Sequence, residues 1–202
     1  SVLQAAALLM GTVSAGLSSE MPRFGFGIAG LGERTMPAVQ AALRAGFRLF
    51  DSATSAQNGQ GFDYRQAELG QALQEGGVRR EDLFLVTKVH PLDFGYVTTL
   101  TAIERACQEL RSQYLDLALL HWPFCVEEFC GRGDRGAPLG DALDAYAALA
   151  EAKRKGWVRA IGLSNFDVAL LEEFFEEIDA VREISPSVLQ NPLDPMNPPP
   201  RP

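Results

Sequence analysis

A short apolar run that ends on a histidine constrains this chain more than any other segment. Residues 115–120 read LDLALL, which is typical of a strand buried on both faces. His121 follows at once, and Pro123 prevents the strand from continuing because it has no N–H to donate. The segment predicts an imidazole at the carboxyl end of a buried strand, where parallel sheets and barrels carry their functional sites. A core histidine with one satisfied hydrogen bond is the alternative reading of this segment taken alone.

The same alternation of a short strand and a helix recurs along the chain. Strands are predicted over residues 24–30, 47–51, 83–88, 115–120, 157–163 and 188–190. Helices are predicted between them, over residues 35–46, 64–73, 100–114, 142–155 and 168–178, with Thr35 as the N-cap of the first. Helical crossovers imply parallel strands.

Five of the six predicted strands end on a polar or charged residue whose side chain could take part in catalysis or binding. These residues are Asp51, Lys88, His121, Ser164 with Asn165, and Gln190. The carboxyl ends of parallel strands lie on one edge of a sheet or barrel, so we expect the five positions to converge. The pattern therefore predicts an active-site face.

Composition and charge narrow the class of protein. The chain has 202 residues, of which 47% are apolar and 22% charged, as in an ordinary globular domain. Its net charge of −8, without a basic cluster, argues against a nucleic-acid partner. Its two histidines and three cysteines show no zinc-ligand spacing, so no metal site is predicted.

Five segments, in this order, resemble the aldo-keto reductases: GFRLFDSA, EDLFLVTK, YLDLALLHWP, GWVRAIGLSNF and VLQNPLDP. The resemblance covers roughly residues 21–195. It implies an α/β fold of the (β/α)8 TIM-barrel type that uses NADPH to reduce aldehydes and ketones to alcohols. It also implies three positions of the family's catalytic tetrad, at Asp51, Lys88 and His121. By the same resemblance Ser164, Asn165 and Gln190 hydrogen-bond the nicotinamide carboxamide.

This set of residues suits carbonyl reduction on chemical grounds as well. Hydride arriving at a carbonyl carbon leaves an alkoxide, which needs a proton and hydrogen-bond donors at its oxygen. A tyrosine can supply the proton, and a nearby Lys88 is expected to lower the pKa of that tyrosine. Asp51 would hold Lys88 in place, and a neutral His121 would donate to the carbonyl oxygen. The amides of Asn165 and Gln190 offer the paired donors and acceptors that a carboxamide needs.

The tyrosine of the tetrad is the first departure from the family pattern. In the family it follows the aspartate at a shorter spacing, where this chain has only Ser55 and Ala56. The nearest match is Tyr64, which comes after Asp51 and the polar segment 52–63. We predict Tyr64 as the proton donor, and the alternative is a tetrad that lacks its acid.

Length is the second departure. A complete barrel of this type needs about 250 residues, and this chain stops after the sixth predicted strand, so we expect an incomplete barrel of about six β/α units. In the family, strands seven and eight carry the aromatic that stacks on nicotinamide and the basic segment that grips the adenosine phosphate. Two interpretations stay open. One is an NADPH-dependent carbonyl reductase, and the other is a truncated, weak or inactive relative that acts as a structural or interaction subunit.

The two ends of the chain differ from the part between them. Residues 1–20 are predicted as an apolar extension, 21–195 as the barrel domain and 196–202 as a proline-rich tail. The extension resembles a signal-type hydrophobic region, which indicates an organelle such as a plastid. The alternative is an extra N-terminal helix on a cytoplasmic protein. Because six strands leave two edges open, at 24–30 and 188–190, we expect a protein partner on the open side, docked with help from the extension.

Overall fold

The computed structural model describes residues 10–11, 21–54, 64–124, 140–181 and 184–192. Their strands form one sheet in the order β1-β7-β6-β5-β4-β3-β2. The strands are β1 (Met10–Gly11), β2 (Gly25–Gly27), β3 (Leu49–Asp51), β4 (Phe84–Val89), β5 (Leu115–Leu120), β6 (Val158–Ser164) and β7 (Val188–Gln190). The α-helices are α1 (Thr35–Arg44), α2 (Gln66–Glu75), α3 (Tyr96–Glu109), α4 (Gly140–Arg154) and α5 (Val168–Val181).

Strands β2 to β7 are all parallel and follow one another in chain order, with a helix between each consecutive pair. They form a curled half-barrel, which is an incomplete version of a (β/α)8 barrel. The predicted fold class is therefore confirmed. Two predicted strands, 115–120 and 188–190, have the predicted bounds.

The sheet separates two apolar clusters. The larger cluster packs the outer face of the sheet against the helices and contains Phe50, Leu85, Ala118 and Ile161. The smaller cluster lies on the inner face of the half-barrel and comprises Leu49, Phe84, Val86, Leu117, Leu119, Ala160 and Val188. Because side chains alternate along a strand, the polar residue at the carboxyl end of each strand lies on the same face as the inner apolar residues. The inner apolar cluster thus leads directly to the candidate site.

Several predicted helix boundaries differ from those in the structure, and three of them bear on the site or the sheet. Thr35 is the first residue of α1, and its hydroxyl donates to the Gly32 carbonyl oxygen at 2.8 Å, so it does not act as the N-cap. The helix predicted to start at Tyr64 begins at Gln66. The helix predicted to run to Tyr114 ends at Glu109, and Arg111 follows with a left-handed φ of 52°.

Tyr114 has a physical reason to lie outside the helix. Two guanidinium groups contact its ring, with the Cζ atoms of Arg80 and Arg159 lying 3.9 and 4.0 Å from the ring centroid. Both arginines also pair with buried Asp116 in β5, at 2.6 and 3.3 Å. The residues predicted as one helix over 100–114 therefore belong partly to α3 and partly to the segment that leads into β5.

The N-terminal extension contributes a strand where a helix was one expectation. Met10 pairs with Gln190 and Gly11 with Leu189, antiparallel to β7. The expectation of an open edge at 188–190 is therefore wrong, because β1 covers that edge within the described residues. The rest of the extension and the proline-rich tail lie outside the described residues.

Among the described residues, no helix is both long enough and apolar enough to cross a membrane.

Candidate active site

The predicted site residues meet at the carboxyl edge of the half-barrel. Asp51 ends β3, Lys88 is the penultimate residue of β4, and His121 follows β5. Ser164 ends β6 and Gln190 ends β7. All five side chains are buried, with exposed fractions of 3–6%. The structure therefore brings together residues that are far apart in the sequence.

A buried ion pair lies at the centre of this group. The ammonium of Lys88 bonds to Oδ1 of Asp51, and both side chains are at most 7% exposed. The ammonium also donates to the Ser52 carbonyl oxygen at 3.2 Å. Asp51 Oδ2 accepts a hydrogen bond from Gln190 Nε2 at 3.2 Å. Each charge is thus compensated by its partner and by a further polar group, as a buried pair requires.

Tyr64 follows the segment 55–63 in the sequence and lies at the same site. Its hydroxyl lies 3.4 Å from His121 Nε2, and the residue is 8% exposed. The Lys88 ammonium lies 5.6 Å from the centroid of the tyrosine ring. The structure therefore places the Tyr64 hydroxyl beside His121.

The pKa of Tyr64 moves in the opposite direction to our expectation. Burial raises this pKa well above its usual value, and the charge of Asp51 raises it further. The sequence predicts that Lys88 lowers the pKa of the tyrosine, but Asp51 is paired with the Lys88 ammonium and its charge opposes that effect. Tyr64 is therefore protonated at neutral pH.

His121 is held in its neutral form. Burial lowers the pKa of His121 well below its usual value, and the nearby Lys88 and His90 lower it further. Its Nε2 faces the Tyr64 hydroxyl, whereas its buried Nδ1 has no hydrogen-bond partner within the part of the chain that the structure describes. A neutral imidazole can donate one hydrogen bond, as the proposed role of His121 requires.

The three residues predicted to bind a carboxamide form a connected amide and hydroxyl cluster. Asn165, whose φ is 61°, donates from Nδ2 to the His121 carbonyl oxygen at 2.8 Å and to Ser164 Oγ at 3.1 Å. Ser164 Oγ donates to the Gln190 carbonyl oxygen at 2.9 Å. The Gln190 amide then reaches Asp51, as described above. The cluster therefore adjoins the ion pair directly.

The donor set of this cluster suits the carboxamide of a nicotinamide. Side-chain amides offer both N–H donors and a carbonyl acceptor, which are the complements of another amide. In this structure those groups hydrogen-bond to one another and to Asp51, so Gln190 would exchange its bond to Asp51 for one to a carboxamide. The residues present fit that end of NADPH.

Several side chains at the site were missed by sequence reasoning. His90 lies beside His121, with ring centroids 6.5 Å apart, and Trp122 stacks on His121 at 6.1 Å. His90 follows Lys88 by two residues, so strand alternation could have placed it on the same face. Gln66 was also missed, because a buried glutamine at a helix start has no distinctive sequence signal.

Comparison with known proteins decides the family. A sequence model of the aldo/keto reductase family matches residues 23–201. The chain belongs to the aldo/keto reductase family. A glyoxal reductase from Bacillus subtilis strain 168 is 37% identical over 173 residues, which are 85% of this chain and 54% of that protein. An aldo-keto reductase from Mycolicibacterium smegmatis is 36% identical over 181 residues, which are 89% of this chain and 58% of that protein.

Solved structures agree with this assignment. An aldo-keto reductase from Brucella melitensis has a TM-score of 0.69 at 28% identity, covering 90% of this chain and 62% of that one. An aldo-keto reductase solved in complex with NADPH has a TM-score of 0.68 at 24% identity, which shows the shared fold; it covers 89% of this chain and 53% of that one. The chain thus spans about half the length of the curated relatives that it matches.

The lowered pKa of His121 predicts how stability depends on pH. An unfolded histidine takes up a proton near pH 6.5, whereas folded His121 stays neutral to lower pH. Between pH 6.5 and the folded pKa the unfolded state binds more protons, so the free energy of unfolding falls as pH falls, by up to about 1.4 kcal/mol per pH unit. Above pH 6.5 this contribution is complete and constant.

The measurement is urea unfolding of the wild type and of His121→Gln at several pH values between 7.5 and 5. The fall in stability below pH 6.5 should be shallower in the variant. The chain has only two histidines, and burial lowers the pKa of His90 as well, so His90→Gln is the matched comparison. Identical pH dependence in the wild type and both variants would contradict the buried neutral state of these rings.

Proposed function

We propose that this chain supplies the catalytic groups of an NADPH-dependent reductase that converts small aldehydes or ketones to alcohols. The observation that carries the proposal is the approach of the Tyr64 hydroxyl to His121 Nε2, at 3.4 Å, beside the buried ion pair of Lys88 and Asp51. A hydroxyl, a neutral imidazole and a cation thus lie close together at the carboxyl edge of the half-barrel. That is the set of groups needed at a carbonyl oxygen that becomes an alkoxide.

When bound, NADPH supplies the hydride that reduces the carbonyl carbon. Neutral His121 donates a hydrogen bond to the carbonyl oxygen and polarises it. Tyr64 keeps its proton until negative charge develops on that oxygen, because its pKa is raised, and then transfers the proton to it. The resulting phenolate lies near the Lys88 ammonium, which Asp51 holds in place.

Ser164, Asn165 and Gln190 hold the carboxamide end of the cofactor in this proposal. Support comes from their complementary donors and acceptors and from the contact of Gln190 with Asp51. For the substrate, support comes from a relative whose name is glyoxal reductase, a small-aldehyde activity. Small aldehydes are therefore the first substrates to assay.

A protein partner covers the β2 side of the half-barrel in this proposal. Within the described residues β2 pairs only with β3, and neighbouring Phe24 is 80% exposed. Unpaired strand edges beside apolar surface favour association with another polypeptide. Light scattering after size exclusion tests this: we expect the purified 202-residue chain to form a stable oligomer or to require a partner for solubility. A stable, soluble monomer would contradict the partner.

The proposed function predicts the effect of Tyr64→Phe. Removing the hydroxyl removes the proton donor, so the reduction rate should fall by about 10²–10⁴-fold. Tyr96→Phe is the matched control, because Tyr96 lies at the start of α3 and is 44% exposed. NADPH binding, followed by quenching of Trp122 and Trp157 fluorescence, should stay unchanged in both variants.

The assay is NADPH oxidation in a single turnover with the protein in excess over a small aldehyde. This format is needed because we expect the 202-residue chain alone to turn over more slowly than about 1 s⁻¹. The chain matches only 54% of the length of a relative, and positioning both reactants contributes up to about 7–11 kcal/mol to such reactions. A reduction rate that is the same in Tyr64→Phe and in the wild type would rule out the proposed role of Tyr64.

A further inference from the structure

Tyr64 reaches the site at the beginning of a helix. Two residues later Gln66 opens α2, and Arg65 between them has a φ of −19° and a ψ of 58°, with no side-chain hydrogen bond that caps the helix. Neither Tyr64 nor Arg65 lies in a strand of the sheet. The position of Tyr64 therefore depends on how the first turn of α2 is fixed against the strands that carry Asp51 and Lys88.

Gln66 makes that connection through a fully buried side chain. Its exposed fraction is 2%. Its Oε1 accepts hydrogen bonds from Ser52 Oγ and Thr87 Oγ1, both at 2.7 Å. Its Nε2 donates to Glu109 Oε2 at 2.8 Å. One side chain at the start of α2 thus bonds to β4, to the segment directly after β3, and to the end of α3.

The partners of Gln66 are the chain neighbours of the ion pair. Ser52 directly follows Asp51, and Thr87 directly precedes Lys88. Because successive strand residues point to opposite faces, Asp51 and Lys88 face the inside of the half-barrel while the two hydroxyls face the helices. From the helix side of the sheet, Gln66 therefore binds the residues directly next to Asp51 and Lys88 in the sequence.

The chemistry of the partners fixes the orientation of the Gln66 amide. A carboxylate can only accept, so the NH₂ group must face Glu109. The Thr87 hydroxyl then donates to Oε1, and the Ser52 hydroxyl shares its proton between Oε1 and the Val86 carbonyl oxygen, which lies 2.9 Å away. Buried polar groups in such a network are costly to leave unpaired, so the geometry is tightly specified.

The close contact of α2 and α3 supports this placement of α2. Gly70 lies one turn after Gln66, and a Cβ atom at Gly70 would collide with the backbone carbonyl oxygen of Glu109. A glycine at this position lets the two helices approach closely enough for the Gln66 amide to reach the Glu109 carboxylate.

We propose that Gln66 is a positioning residue for Tyr64: by binding Ser52, Thr87 and Glu109, it sets the first turn of α2 so that the Tyr64 hydroxyl lies against His121. This role matters for Tyr64 in particular because the tyrosine follows the segment 55–63 and lies outside the strands that carry Asp51 and Lys88. The kinetic consequence rests on the proposed reductase function, whereas the placement of the hydroxyl does not.

The test of placement is NMR of the full chain labelled with [¹³Cζ]tyrosine. The chain has four tyrosines, and the Tyr64 signal is the one that disappears in Tyr64→Phe. In Gln66→Leu this signal should shift or broaden while the other three stay in place. Thr87→Val should shift it in the same direction, and it is the second variant in case Gln66→Leu does not fold. An unmoved Tyr64 signal in either folded variant would overturn the proposal.

Leu69→Ala is the control for a general loss of stability. Leu69 is fully buried in the same helix but contributes no polar group to the network. This variant should lower the urea midpoint and leave the Tyr64 signal in place. A Tyr64 signal that moved as much in Leu69→Ala as in Gln66→Leu would show general loosening of α2 and would overturn a specific role for Gln66.

Exchanging the amide and the carboxylate between positions 66 and 109 should restore the position of Tyr64. Gln66→Glu places a carboxylate against Glu109, so it should displace the Tyr64 signal. Adding Glu109→Gln restores a donor opposite that carboxylate, while Ser52 and Thr87 still have an acceptor. The double variant should return the Tyr64 signal toward its wild-type position, and a larger displacement than in Gln66→Glu would count against the network.

Kinetics separate this proposal from the proposed function. If the wild type reduces aldehydes, Gln66→Leu should lower kcat by about 10²-fold, as expected for a displaced catalytic group, with little change in KM. A displaced Tyr64 signal in a protein that is never active would support the positioning role and count against the reductase function. An active Gln66→Leu protein with an unmoved Tyr64 signal would support the reductase function and count against the positioning role of Gln66.

Discussion

The buried ion pair between Lys88 and Asp51 is the interaction on which the site depends. It joins β3 to β4, and through the second oxygen of Asp51 it also reaches Gln190 on β7. Taking two charges out of water costs several kcal/mol per ion, and replacing such a pair with apolar residues is often neutral or stabilising. The fold therefore gains little from this pair, and its position beside Tyr64 and His121 gives the reason for it.

The half-barrel makes this arrangement possible through strand alternation. The inner face is apolar along most of each strand and becomes polar only at the carboxyl end, so the charged groups rest on the apolar cluster around Leu117 and Leu119. That burial also raises the pKa of Tyr64 and lowers the pKa of His121. Both groups are thus kept neutral in the folded protein.

The fold class and the converging residues could be predicted from the sequence because both follow from local patterns. A buried strand such as β5 is apolar apart from Asp116 and stops at a proline-containing segment, so the pattern marks its end. The pKa of Tyr64 could not be predicted, because its direction depends on burial and on how close Asp51 lies. The role inferred for Gln66 was also hidden, since its three partners come from distant parts of the chain. The pairing of Met10 with Gln190 is equally non-local.

The free energy of unfolding of Asp51→Asn/Lys88→Met tests most directly the claim that the ion pair serves the site and not the fold. The account predicts that this double variant is as stable as the wild type, or up to about 4 kcal/mol more stable, because no charge is left buried and unpaired. Lys88→Met alone should lose about 3–5 kcal/mol, since it leaves the buried carboxylate without its partner. A double variant as unstable as Lys88→Met would contradict the account, because the pair would then be needed to hold the half-barrel together.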